Sequence, residues 1–464
     1  MKRRSKATKG KNSSVAFPTR EQRLVAGKAL RDGVPRERHG RWVRTAKRRD
    51  PVDVLKASNR DRVQDLVPIR YGRMLRSPFT FLRGSAGLMA SDFASLPSVG
   101  LRVQACGDCH LLNFGLFATP ERNLIFDIND FDETLPAPWE WDLKRLAVSF
   151  AVASRDNNHT DKDARTAATE CARAYREFLR GYSKQSPLNV WYDHIDEKTL
   201  IAMAPNKKAA EYRQQITAKA HQRIGDYLFP KIANPSGGQM RLVDQPPVLF
   251  HMQEENATER VRVVLEAYRE SLPDERRVLF ERYRVQDVAF KVVGIGSVGT
   301  RCYVALFASS DQHPLLLQFK EATASVLEPH AGKSVYKNHG QRVVIGQRLM
   351  QSASDIFLGW AQGQRGFHFF GRQLRDMKMS APIEAAMPWQ MRAYADLCGR
   401  TLARAHAKSG DAATISGYLG KSDVFDQAIG NFAIAYADQT EKDHAALAAA
   451  VKRGRIQALV EEDL

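Results

Sequence analysis

Apolar residues recur at helical spacing over residues 53–76 and again over 79–95, so the chain should open with helices, the second of them buried. Residues 100–119 are apolar on both sides of a polar cluster, which reads as strand, loop, strand. A turn at Pro120-Glu121-Arg122-Asn123 leads into a short apolar strand, LIFDI. Helical periodicity returns over 142–182, and a more polar helix is predicted over 207–229. The Pro/Gly-rich stretch 230–249 marks a boundary. A helix over about 256–282 precedes a switch to strand character at 285–320, interrupted by a Gly-rich turn. Helix over 332–353, strand over 367–375, a long amphipathic helix over 388–408 and a helical tail over 422–463 complete the pattern. There is no internal repeat, and no apolar run of about 18 residues that would span a membrane.

Composition refines this picture in one respect. At 464 residues, 43% hydrophobic and 26% charged, the chain is globular and long enough for two or three domains or one two-lobed unit. Its formal net charge of +18 invites a nucleic-acid reading. Residues 1–50, however, hold 17 Lys and Arg against Glu21, Asp32, Glu37 and Asp50, so thirteen of the eighteen charges belong to an N-terminal arm. Its first twenty residues should be disordered. The run His39-Gly40-Arg41-Trp42-Val43-Arg44 with Lys47-Arg48-Arg49 either touches an acidic or nucleic-acid partner or packs over the domain edge. No apolar segment follows MKRRSKATKGKNSS as a secretory signal would require, and five cysteines do not make a disulfide framework. A reducing cytoplasmic setting is the expectation.

Two motif clusters carry chemistry. The first, Cys106-Gly107-Asp108-Cys109-His110-Leu111-Leu112-Asn113, contains C-x-x-C-H, the literal pattern of c-type haem attachment. That reading needs export, zinc would need a second ligand pair, and a thioredoxin-like pair should open a helix. Without the cysteines, Asp108 followed five residues later by Asn113 suits phosphoryl transfer. The carboxylate would orient an acceptor hydroxyl and take its proton, and the amide oxygen would hold Mg²⁺. Downstream, Phe126-Asp127-Ile128-Asn129-Asp130-Phe131-Asp132-Glu133 supplies hard oxygen donors at a strand end, with Asp130 and Asp127 as candidate metal ligands. In the second cluster, Gly294-Ile295-Gly296-Ser297-Val298-Gly299 is followed by strand rather than helix, so a dinucleotide fold does not fit. With Lys320 on a later strand, it matches the phosphate-covering arrangement of protein kinases. Gly294, Gly296, Ser297 and Gly299 would cover the phosphates and Lys320 would bind them. Arg83 would neutralise a phosphate or the loop carboxylate, or form a salt bridge.

The stretch GDCHLLNFG resembles the G-D-x-H-x-x-N loop of aminoglycoside and choline phosphotransferases, where the histidine, here His110, supports the loop and enters the chemistry only second. Asp130 precedes Trp141-Asp142-Leu143 at a spacing similar to theirs. More closely, RYGRMLRSPFTFLRG, GDCHLLNFG, NDFDETLPAPWEWDLKRLA, GIGSVGTR and RVVIGQRLMQSASDIFLGW look like the bacterial family called domain of unknown function 2252, over about residues 60–450. The kinase likeness implies an α+β, two-lobed fold. It is circularly permuted, because the catalytic set (108–142) precedes the Gly-loop set (294–320), while Leu402-Ala403-Arg404-Ala405-His406 resembles the helix that normally leads into the catalytic loop. The expected division is a basic arm (1–50), a helical part with the catalytic and metal loops (51–283), a β-rich nucleotide-binding part (284–378) and a helical completion (379–464).

The implied activity is ATP- (or other nucleoside triphosphate-) and Mg²⁺-dependent transfer to a hydroxyl on an acceptor that the sequence does not identify. The alternatives are nucleotidyl transfer, a non-catalytic nucleotide-binding module, and nucleic-acid binding through the arm. One departure bears on activity. Kinases pair the strand Lys with a Glu on the next helix, yet residues 331–360 contain no Glu. Glu328 or a Gln must substitute, or Lys320 is held differently.

Overall fold

Helices frame two regions of antiparallel strands in the computed structural model, which describes residues 17–222, 229, 232–236, 239–251, 257–374 and 377–459. Thr19 caps the first helix, α1 (Arg20–Gly33): its hydroxyl accepts from the Gln22 N–H, and the Gln22 side-chain oxygen accepts from the Thr19 N–H. The predicted helix over 53–76 is two, Pro51–Ser58 and Val67–Leu75. That over 79–95 also divides, into α2 (Pro78–Gly84) and Ala86–Ala94.

Strand β1 (Arg102–Ala105) leads into the 106–113 loop and then β2 (Phe114–Ala118). β2 pairs with β3 (Leu124–Ile128), which leads through the acidic loop to β4 (Leu135–Pro138), and β4 closes back on β1. The two polar loops therefore leave neighbouring strand ends and meet: the Asn129 N–H donates to the Asn113 carbonyl at 2.7 Å. Helix α3 (Trp139–Asp156) follows, with every residue from Trp139 to Ser154 buried. A helix buried all round is a central one. Helix α4 (Asp161–Tyr182) lies against it.

The second region is a six-stranded sheet. It is built from β5 (Leu249–Phe250), the covering helix α5 (Ala257–Ser271), β6 (Arg284–Lys291), β7 (Cys302–Ala308), β8 (Pro314–Ala322), helix α6 (His339–Met350), β9 (Gly359–Gln362) and β10 (His368–Gln373), in the order β9-β10-β8-β7-β6-β5. Alternation sorts its faces. Phe307, Leu317 and Phe319 pack under Tyr268 of α5, whereas Leu316, Gln318 and Lys320 point the other way. β5 and α5 belong to this sheet although they precede the expected boundary at 284. Helices α7 (Pro388–Ser409), α8 (Ala412–Leu419) and α9 (Val424–Lys452) return to pack on α3 and α4, in one core with them.

The arm needs correction. Residues 20–50 are folded onto the C-terminal helices. α1 approaches α8 so closely that a Cβ on Gly27 would lie 1.9 Å from the Thr414 carbonyl oxygen. Arg31 donates to the Tyr418 and Gly417 carbonyls, and Arg36 to that of Leu419. Arg48, with its side chain 3% exposed, bridges Asp92 and Asp443. His39 is buried against Tyr418 and Phe425, and Trp42 packs on Tyr436. Within the mixed aromatic and basic run, His39, Trp42 and Arg48 thus serve packing, while Arg41, Arg44, Lys47 and Arg49 are exposed. The expectation of disorder falls largely on residues 1–16, outside the described residues. Among the described residues, no helix is long and apolar enough to cross a membrane.

Candidate active site

Both motif clusters face one polar cavity of about 170 Å³, lined by Asp108, His110, Asn113 and Asp130 from one side and by Gly294, Gly296, Ser297 and Lys320 from the other. Asp127 and Gly299 do not line it.

The 106–113 loop is fixed from behind. Gly107 has φ +85°, and a Cβ there would sit 2.4 Å from the Glu133 carbonyl oxygen, so only glycine fits. The Cys106 and Gly107 N–H groups both donate to the Asp142 carboxylate, at 2.7 and 3.0 Å. His406 on α7 lies 3.3 Å from that same carboxylate and 2.9 Å from the Tyr175 hydroxyl. Asp108 Oδ1 accepts from Arg145 Nε at 2.6 Å; the Arg145 side chain is 2% exposed and that of Asp108 20%. Asn113 Nδ2 donates to the Asp108 carbonyl at 2.6 Å, which commits the amide nitrogen inward and leaves the oxygen for a cation. Burial, reinforced by Arg83 and Arg145 and opposed by Asp108, pushes the His110 imidazole down to about 4, so at neutral pH it is an uncharged prop.

Electrostatics single out the acidic loop. Burial alone would raise Asp130, but Lys320, Arg372 and Lys378 outweigh it and hold its carboxyl below the ordinary range. Asp132 is pushed up by burial and by Asp130. Its Oδ2 touches Lys320 and accepts from Ser297 Oγ at 3.3 Å, while its buried Oδ1 has no partner. An orphaned carboxylate oxygen beside Asp130 and the Asn113 amide suits a hard divalent cation. Lys320 is thus held differently from the kinase pattern, by Asp132. Glu328 lies instead by His339, at 3.9 Å, and Gln347 and Gln351 bond to each other. In place of a Glu, α6 presents Arg342, which donates to the carbonyls of Asp132, Thr134 and Thr323.

Two expected site residues lie elsewhere. Asp127, on β3, is fully buried and bonds Arg404 at 2.6 and 2.7 Å and Ser352 at 2.8 Å. Strand geometry turns it into the core, while Asp130, past the strand end, reaches the cavity; Asp127 is a structural ion-pair partner rather than a metal ligand. Gly299 accepts from the Val63 N–H at 2.8 Å and abuts Arg62. Other parts of the loop are also held from the helical side. Arg62 donates to the Gly296 and Val298 carbonyls, and Arg73 to that of Val293.

Cys106, Cys109 and Asp142 place ligand atoms within 4.8 Å of one another. The Asp142 oxygens are already engaged by the loop N–H groups, and burial pushes both thiols up, Cys109 to about 11. This cluster is a structural plug beneath the loop.

A second cavity, of about 490 Å³, opens beside the first and shares Val293, Gly294, Gln318 and Arg372 with it. The family model described as "Uncharacterized protein conserved in bacteria (DUF2252)" matches residues 62–450. The chain belongs to this family. The matched DUF2252 span contains both loops, Arg83 and the α7 residues that brace the site, and begins after α1. No curated protein and no solved structure matches the chain.

Sequence reasoning overlooked Arg145, Arg342 and Arg404 and gave Asp142 no role. A usable signal existed in DLKRLAVSFAVA, because charges inside an otherwise apolar helix are buried only when paired.

Proposed function

We infer that this DUF2252 chain is a Mg²⁺- and ATP-dependent phosphotransferase acting on a hydroxyl acceptor, built on a circularly permuted kinase-like fold. One observation carries the reading. Asp108, Asn113 and Asp130 share a cavity with the glycine loop and Lys320, about 180 residues away in sequence. In kinases the phosphate-binding lysine sits on the third strand after the glycine loop opens the sheet, and a helix follows. Here β6, the loop, β7 and β8 bring Lys320 to that position, and α6 follows.

The larger cavity would take the nucleoside, leading the phosphates into the polar one. Asn113, Asp130 and the free Asp132 oxygen would hold magnesium, whose chemistry is to neutralise phosphate charge. Arg145 pins Asp108 Oδ1 and leaves Oδ2, the oxygen nearest Gly296, to receive the acceptor's proton. The acceptor oxygen forms its bond to the γ-phosphorus as the bond to the β-phosphate oxygen breaks, the electron pair leaving with the nucleoside diphosphate. Titration of the full chain with Mg·ATP should show binding, and incubation should release ADP, with a product heavier by one phosphoryl group. Addition of a nucleotidyl group instead would indicate nucleotidyl transfer. Failure to bind any nucleoside triphosphate would sink both.

The bond between Lys320 and Asp132 favours a second reading, nucleotide binding without turnover, since it occupies a carboxylate that a metal would use. Binding without ADP release across a panel of hydroxyl acceptors would support it.

A further inference from the structure

Arg83 closes α2, and its guanidinium enters the polar cavity. The other cations there are engaged: Lys320 with Asp132, and Arg372 with the Asn129 carbonyl at 3.2 Å. Behind the loop, Arg145 holds Asp108. Arg83 has no hydrogen bond or ion pair among the described residues, and its Nε is buried with no partner. A guanidinium Nε buried without a partner forfeits a hydrogen bond, and such a group in a native site calls for an explanation.

Its surroundings supply one. Gly294 faces it: a Cβ at that glycine would be 4.0 Å from Arg83 Nη2. Next along the loop, a Cβ at Gly296 would be 3.5 Å from the Arg83 carbonyl oxygen and 3.9 Å from Asp108 Oδ2. The guanidinium therefore lies beside the glycine loop in the cavity that Asp108 also lines. His110, neutral and buried, offers no charge there, and Asp108, although its charge acts on Arg83, makes its ion pair with Arg145 instead. A planar guanidinium bonds two oxygens of a tetrahedral oxyanion at once, which an ammonium does not.

We propose that Arg83 is the in-chain cation that grips a tetrahedral oxyanion in this cavity. On the phosphotransferase reading, from which this part follows, the oxyanion is the phosphoryl group in transfer. Free phosphate or pyrophosphate has the same chemistry.

The test uses the full chain as wild type, Arg83→Gln and Arg83→Lys. ADP release from Mg·ATP should fall about 100-fold in Arg83→Gln, the usual cost of removing one charge-stabilising donor. Mg·ATP affinity should stay within about threefold, and Arg83→Lys should recover part of the rate. Pyrophosphate alone, followed by thermal shift, should bind at least about tenfold more weakly to Arg83→Gln. Without ligand, that variant should melt at or above the wild-type temperature, because a donor buried without a partner has gone. Unchanged ADP release and unchanged pyrophosphate affinity would overturn the proposal. So would a lowered ligand-free melting temperature with anion affinity intact, which is the mark of a purely structural arginine. If wild type binds pyrophosphate through Arg83 but not Mg·ATP, the oxyanion site stands and the phosphotransferase reading fails. If wild type binds neither, both fall.

Discussion

The two sides of the cavity are built on different plans. On the side of the 106–113 loop, buried side chains from the helices hold carboxylates or are themselves the carboxylates: Arg145 holds Asp108, Arg404 holds Asp127, and Asp142, with His406 alongside, holds the loop N–H groups. On the glycine-loop side, it is backbone that is held, with Arg62 and Arg73 bonding three loop carbonyls from outside the sheet. Side-chain pinning fixes charge, which suits groups that move a proton or hold a cation. Backbone pinning fixes shape and leaves the glycines bare, as the proposed phosphate cover requires.

Four changes probe this contrast. Asp108→Asn should lower ADP release by about 10³-fold or more, with Mg·ATP affinity and melting temperature nearly kept, because the amide oxygen still faces Arg145. Turnover close to wild type would remove Asp108 from the chemistry. Asp127→Ala should cost about 3–5 kcal/mol of stability in urea titration, since it strands buried Arg404. Asp130→Ala should cost far less, because Lys320 and Arg372 at the cavity keep Asp132 and the Asn129 carbonyl as partners, but should abolish any dependence on magnesium. Equal destabilisation by the two would erase the distinction between the core carboxylate and the cavity carboxylate. Arg62→Gln, on the other side, should raise the Mg·ATP Kd by about tenfold through loss of loop shape, worth about 1.4 kcal/mol. An effect on turnover alone would count against a shape-holding role.

The smallest effect lies far from both loops. Burial holds the His39 pKa well below its ordinary 6.5, so the folded chain binds fewer protons than the unfolded chain as pH falls. The stability this represents is complete above pH 6.5 and is lost as pH drops below it, by at most about 1.4 kcal/mol per unit. His39→Gln should flatten that slope in urea midpoints measured between pH 7.5 and 5.5; an unchanged slope would exclude His39 as its source.

Legibility in the sequence followed distance along the chain. The 106–113 loop, the acidic loop and the glycine loop are each contiguous, and their residue types announce chemistry. Asp127 was misplaced because only two residues separate it from Asp130 and only the end of β3 decides which of them turns outward. Arg404 read as part of a helix end because its partner lies 277 residues upstream. The basic arm read as an appendage because charge counting cannot see Asp92 and Asp443 waiting for Arg48.

The brace from α7 has a consequence for synthesis. A ribosome delivers Asp127 and Asp142 early, yet their partners Arg404 and His406 emerge 277 and 264 residues later, about 13–55 s at ordinary elongation rates. Throughout that interval Asp127 has no counter-charge and the loop lacks its buttress. The nascent chain can therefore pair Asp108 with Arg145 early, but it carries Asp127 and Asp142 long before Arg404 and His406, and the brace closes only when α7 is delivered.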